Sequence, residues 1–298
     1  MSSDRTFGML MLPSNGLFYK NKNKYLLINF LTYFEENILT SEMMHESNIA
    51  MPIVLEKVIA DKNFDVKEIL PCDVQAISMF LRAYAYGDNI EIPVQCSHCE
   101  RGTDYNLRIS SFKSKEVNII PDENGEMSVV SQKFKRNIKI KPRTYLEELE
   151  FNKSGERKQI DTMMFYITEI DGEREKSKIA HIIQSMKIFE SRDIKKVVFD
   201  SLPGIDASII YNCDFCEKDT VINFGSDGSD FLKLPASFIN NVLEEIFLLN
   251  QYGTSITIED AKKLTIGERR WLINRLSKEL QKKKEAEDAA MRKAKSKK

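Results

Sequence analysis

The sequence predicts an α+β protein made of two internally duplicated α/β-ribbon units followed by a C-terminal helical arm. Three observations carry that reading. The stretches "IPVQCSHCERGTDYNL" at 92–107 and "IIYNCDFCEKDTVINF" at 209–224 align at an offset of 117 positions, matching Ile92/Ile209, Cys96/Cys213, Cys99/Cys216, Glu100/Glu217, Thr103/Thr220 and Asn106/Asn223. Upstream, "FLTYFEEN" at 30–37 matches "PRTYLEEL" at 142–149 through Thr32/Thr144, Tyr33/Tyr145, Glu35/Glu147 and Glu36/Glu148. Self-similarity on this scale marks repeated architecture. Beyond about residue 230 neither copy has a counterpart. The expected boundaries are 1–115 and 116–230 for the two repeat units, 231–281 for the helical arm and 282–298 for a basic flexible tail.

In the first unit, "FGMLMLP" at 7–13 predicts a buried strand. The Pro, Asn-Gly and Asn/Lys punctuation of "LPSNGLFYKNKNKYLLINF" predicts a hairpin region. Helical patterning follows over 33–60, with Pro52 in the first turn of a second helix. In "CDVQAISMFLRAYAYG", Asp73 is the expected cap, Val74, Ile77, Leu81 and Tyr84 share a face, and Gly87 closes the helix. The second unit repeats the plan: a turn at "DENG", a strand over 133–141, and helices over 159–170 and 177–190. A helix opening at Asp193 follows, with Ile194, Val197, Val198 and Ser201 on one face, and Pro203 and Gly204 stop it. The arm carries Phe238, Val242, Leu243, Ile246 and Leu249 at helical spacing, a break at "QYGTS", and a short helix over 258–264. The capping box "TIGE" then starts a last helix with Trp271, Leu272, Leu276 and Leu280 inward. Past residue 281 the apolar stripe is lost and fraying is expected.

Charged residues make up 30% of the chain, and no apolar run approaches the length of a membrane helix. The N-terminal apolar run is too short, and too soon interrupted by Pro13, for a secretory signal. Net charge is −1. Residues 277–298 carry nine Lys/Arg against four acids, so a body of charge −6 bears a tail of +5. That asymmetry argues against a nucleic-acid footprint on the folded part.

Of five cysteines, four form two C-x-x-C pairs. In a chain with no export signal this usage points to thiolate chemistry in a reducing cytoplasm, away from a disulfide framework. A C-x-x-C at the tip of a β-ribbon supplies half of a tetrahedral zinc site. Two copies supply Cys96, Cys99, Cys213 and Cys216, a closed structural Zn2+ site bridging the duplicated units. A thioredoxin-like redox pair would open a helix, whereas both pairs here run into strand-like sequence. His98 aligns with Phe215 in the other copy, so it is expected to be a surface residue or one beside the ligands, and not a ligand itself. Cys72 is expected as a buried apolar residue, His45 and His181 as unremarkable, and Lys135, Lys139, Lys141 and Arg143 as a solvated strand face. "FGSDGSD" at 224–230 lacks a phosphate-loop pattern, and no H-E-x-x-H or G-x-S-x-G occurs. A four-cysteine site leaves no open coordination position, so no catalytic residue and no small-molecule substrate is expected.

The string "LPSNGLFY", the Tyr-Gly-Asp turn ahead of the first C-x-x-C, the second C-x-x-C after a Pro-Gly turn, and "ERRWLINRL" at 268–276 resemble the baseplate hub and tail assembly proteins of T-even-type contractile-tailed phages. The resemblance implies a non-enzymatic baseplate component or assembly factor, working in the host cytoplasm and retained in the virion if it is a subunit. Its partners would be other phage baseplate or tail proteins, with no membrane. By the resemblance the partner-facing end would be the helices around Glu268, Arg269, Arg270 and Trp271; the large apolar groups Phe238, Phe247 and Leu272, in an arm that neither copy demands, are expected to join that partner-binding surface. The alternative is a zinc-stabilised nucleic-acid-binding protein that uses the basic tail.

Overall fold

A computed structural model describes residues 7–116, 118–153, 159–206, 208–223, 231–232, 234–253 and 255–295. The chain starts with strands β1 (Phe7–Met11) and β2 (Tyr25–Asn29), then helices α1 (Tyr33–Leu39), α2 (Glu42–Glu46), α3 (Ala50–Val58) and α4 (Pro71–Tyr86). The ribbon β3 (Asn89–Gln95) and β4 (Gly102–Arg108) follows, then the short β5 (Lys113–Ser114). Next come β6 (Met127–Ser131), β7 (Arg136–Ile140), α5 (Tyr145–Lys153), α6 (Gln159–Tyr166), β8 (Ile167–Ile170), α7 (Lys176–Ser185) and α8 (Ile188–Ser201). Strand β9 (Ile205–Asp206) leads into a second ribbon, β10 (Ser208–Asn212) and β11 (Asp219–Asn223). Helices α9 (Phe238–Tyr252), α10 (Ile258–Lys263) and α11 (Ile266–Lys295) complete the chain.

These elements form two compact units, one of Met9–Ile28 with Ile59–Leu232, the other of Met1–Gly8, Asn29–Val58 and Lys233–Lys298. The chain passes from one to the other between Leu232 and Lys233, and residues 29–58 group with the C-terminal helices.

In the unit that holds the ribbons, β6, β7 and β8 make a three-stranded antiparallel sheet. Alternation puts Met127, Val129, Ile138 and Ile140 on its covered face. Ile179 and Ile183 from α7 and Ile194 and Val198 from α8 pack onto them. Residues 167–170, expected to be helical, are a strand: Ile167, Thr168 and Ile170 are β-branched and meet the open edge of β7. The helix expected over 177–190 is broken at Met186, which takes an extended conformation. Strand β1 pairs with β2, but Phe7, Met9 and Met11 are exposed where a buried strand was expected.

Helix α4 has Pro71 as its first residue and Leu70 as N-cap, so Asp73 lies inside the first turn instead of capping it. Its carboxylate is fully buried, accepting the Ser14 N–H at 3.0 Å and the Tyr19 hydroxyl. Tyr84, expected on the buried face, is exposed and tilts against Phe80. The second half of the unit has a similar bond: Ser131, at the end of β6, donates its hydroxyl to Asp193 of α8 at 2.7 Å. Further parallels occur beside the second strand of each hairpin. Ile59 bridges Ile28 while the Leu27 N–H reaches Asp61 at 2.8 Å. In the later sequence β8 pairs with β7 while the Asn137 N–H reaches Asp171 at 2.9 Å.

In the other unit, α1 begins at a capping box in which the Thr32 N–H donates to Glu35 and the Phe34 N–H to the Thr32 hydroxyl. Val242, Ile246 and Leu249 of α9 and Ala261 of α10 form a core with Tyr33, Phe238, Leu264, Leu272 and Ile273 around it. Thr265 bridges Thr32, and the Ile266 N–H donates to the Leu31 carbonyl at 3.0 Å. The arm therefore shares one core with α1. The Thr265/Glu268 capping box is present, and packing turns Ile266, Arg269 and Leu272 of α11 toward that core. Trp271 and Leu280, expected inward, are exposed. The helix also runs to Lys295 where fraying was expected, because 277–295 is rich in Lys, Glu, Ala, Gln and Arg and has no Gly or Pro.

Candidate metal centre

Both ribbons are antiparallel hairpins with fixed register, Val94 opposite Thr103 in one and Tyr211 opposite Thr220 in the other. Each closes over its C-x-x-C in the same way. The Cys96 N–H donates to the Arg101 carbonyl at 3.0 Å and the Glu100 N–H to the Cys96 carbonyl at 2.9 Å. In the second ribbon, Cys213 donates to Lys218 at 3.1 Å and Glu217 to Cys213 at 2.8 Å. Glu100 and Glu217 both take the left-handed conformation, φ 60° and 56°. The side-chain amides of Gln95 and Asn212 donate to the Glu100 and Glu217 carbonyls at 3.0 and 3.3 Å.

These knuckles face one another and bring four sulfurs within 4.8 Å of each other. Cys96 Sγ lies 3.6 Å from Cys216 Sγ, and Cys99 Sγ 3.6 Å from Cys213 Sγ. A disulfide would need about 2.05 Å. A tetrahedron with zinc–sulfur bonds of about 2.3 Å has edges of about 3.8 Å, so the four donors fit a single cation of that size. Val94 and Tyr211 are buried beside the sulfurs, with Ile92, Tyr105 and Ile222 completing an apolar wall. Tyr105 meets Tyr211 edge to face, with centroids 5.8 Å apart.

The sulfurs sit in different electrostatic surroundings. The Thr220 hydroxyl, 3.5 Å from Cys96 Sγ, together with the Cys99 and His98 amides, lowers the Cys96 thiol to about 5. The Lys218 amide favours ionised Cys216, but burial and the neighbouring sulfurs outweigh it and push that thiol up to about 12. Thiolates this close cannot all carry charge without a cation among them. The donor set and the spacing both suit a divalent metal ion, and these four cysteines could hold one.

The His98 imidazole donates through Nε2 to the Asp219 carbonyl at 3.2 Å, and the His98 backbone N–H donates to Cys96 Sγ at 3.3 Å. It thus ties one ribbon to the other beside the sulfurs. Thr220 does the same from the second ribbon, with Ser97 within 3.4 Å. Sequence reasoning missed this role of Thr220, whose only signal was its identity with Thr103. Arg101 stacks over Phe215 at 5.0 Å. Cys72 is buried. Lys139 pairs with Glu169 at 3.5 Å, and Arg143 donates to the Phe165 carbonyl at 2.6 Å. Residues 224–230 lie outside the described residues.

The family described as T4 bacteriophage base plate protein matches residues 13–233, a span that contains both knuckles. The chain belongs to that family. No curated protein and no solved structure gives a match. No helix among the described residues of this base plate protein is long and apolar enough to cross a membrane.

The match ends before α9, so the expected partner-binding residues 238–272 lie beyond it. Their surroundings divide them. Trp271 is 65% exposed and Phe247 54%, and Glu268 is exposed apart from its cap to Thr265. Phe238 and Leu272 are half-buried against the α9 core, and Arg270 is half-buried. Arg269, expected to face a partner, is instead 1% exposed and bonded to Glu36 at 2.6 Å and Glu245 at 2.7 Å. One turn from the capping box, it points at the helices already covering that side.

Proposed function

We propose that this base plate protein is a non-enzymatic structural subunit or assembly factor of the baseplate hub, held together by one zinc ion. Membership of the family, with both knuckles inside the matched span, carries the reading. The four thiols favour zinc: sulfur donors at tetrahedral spacing suit it, and four of them would fill its coordination, leaving no position for a substrate. The metal's role is then to join two ribbons distant in sequence. The work of the protein lies in contacts with other baseplate or tail proteins, made in the host cytoplasm during assembly. Trp271, Phe247, Glu268 and Arg270 are proposed among the contact residues, since exposed aromatics with arginine nearby are favoured at interfaces.

We further infer that the two ribbon-bearing stretches are copies of one unit. The matched knuckles, the Ser14–Asp73 and Ser131–Asp193 bonds and the Thr32/Glu35 and Thr144/Glu147 caps support the inference. Copurification from infected cells, followed by mass spectrometry of mature particles, tests the functional reading. Baseplate proteins in the copurified material support it, and the chain's presence or absence in finished tails separates subunit from assembly factor. Recovery without any tail protein would sink it.

A further inference from the structure

Helix α11 outruns the core it packs on. Residues 277–292 are exposed without exception, and the stretch 277–295 extends the helix by about 28 Å. A helix polar all round is held by side-chain pairs along it or bridges to a partner. Arg275–Glu279 at 2.7 Å and Gln281–Glu285 at 3.0 Å support its first turns.

One line of residues along this helix has heptad spacing: Leu276, Leu280, Lys283, Glu287 and Ala290. Its last four residues are their own complement when reversed. With a second copy laid antiparallel about a two-fold axis beside residue 285, Leu280 meets Ala290 and Lys283 meets Glu287, each twice. Large then packs on small and positive on negative in four successive layers. The same residues in a parallel pair would set Lys283 on Lys283 and Glu287 on Glu287. The one like-charge approach in the antiparallel pair is Lys284 with its own copy, and Asp288 stands one turn further along each helix. We propose that the distal half of α11 pairs antiparallel with the same segment of a second copy of this chain.

Sedimentation equilibrium of the full-length protein tests this, with circular dichroism to confirm that each variant keeps its helix content. The wild type is expected to show a monomer–dimer equilibrium. Lys283→Glu alone replaces two Lys–Glu pairs across the seam with two Glu–Glu pairs and should weaken the dimer roughly tenfold. The double exchange Lys283→Glu with Glu287→Lys should restore it. Ala286→Cys, beside the two-fold, should form an interchain disulfide under mild oxidation, whereas Ala290→Cys should not. A wild type that stays monomeric at all concentrations, a double exchange that fails to rescue, or cross-linking through position 290 in place of 286 would each overturn the proposal.

Discussion

Replacing Arg269 with Met keeps most of the stem and removes the charge, which tests what holds the C-terminal helices to α1. The guanidinium is 1% exposed, and the side chains of Glu36 and Glu245 are 0% and 27% exposed. Burial disfavours the charged guanidinium, yet attraction to Glu36 and bonds to Glu245 and Glu36 prevail and raise its pKa. Taking one member from a buried pair costs about 3–5 kcal/mol, because the remaining charge keeps its desolvation penalty without its counter-ion. The more exposed Glu245 contact adds at most about 1 kcal/mol. Arg269→Met should therefore destabilise this unit by about 4 kcal/mol. Glu36→Gln in that background should recover part of the loss, with a coupling of about 1–3 kcal/mol. Urea unfolding followed by circular dichroism and by the fluorescence of Trp271, the single tryptophan, gives both numbers. A loss below about 1 kcal/mol, or strictly additive single and double variants, would refute a buried ion cluster at this position.

Elemental analysis of protein purified under reducing conditions should find one zinc per chain, and Cys96→Ser or Cys213→Ser should abolish it and lower stability, because metal binding contributes folding free energy. Thr220→Val removes the hydroxyl bonded to Cys96 Sγ and should weaken metal retention about tenfold in a chelator competition; unchanged retention would deny Thr220 a part in the site. If the knuckles are copies, Asp214→Ser, Phe215→His and Lys218→Arg together rewrite the second as the first, and metal stoichiometry should be unchanged. Tyr19→Phe deprives buried Asp73 and the Leu70 N–H of one hydroxyl, for a loss of about 1–3 kcal/mol by thermal or urea unfolding. Gly16→Ala should cost more than about 1 kcal/mol, since Gly16 has φ 69° and a Cβ there would overlap the Asn23 carbonyl.

Much of the site was legible in the one-dimensional pattern. Two C-x-x-C pairs with matching flanks define two hairpin tips whose local hydrogen bonds are made within six residues, and short-range geometry of that kind is written in the sequence. The capping box at Thr265 was legible for the same reason, whereas those at Thr32 and Thr144 were read only as matched positions of the repeat. Strand β8 was not: "ITEI" has no turn signal separating it from α6, and only the free edge of β7 makes it extended.

The sequence alone determined that there would be two ribbons with two thiols each, hairpins and amphipathic helices before them, and a helical C-terminus, because each rests on contacts a few residues apart. Tertiary structure decided that the four sulfurs meet within 4.8 Å, and that Thr220 of one ribbon bonds to Cys96 of the other. It also decided that Arg269 belongs to a core 233 residues away from Glu36 in sequence. In "ERRWLINRL" three arginines and a tryptophan look equally ready for a partner. Which of them is buried depends on the rotation of α11 against α1 and α9, a property of packed surfaces that no spacing within the helix encodes.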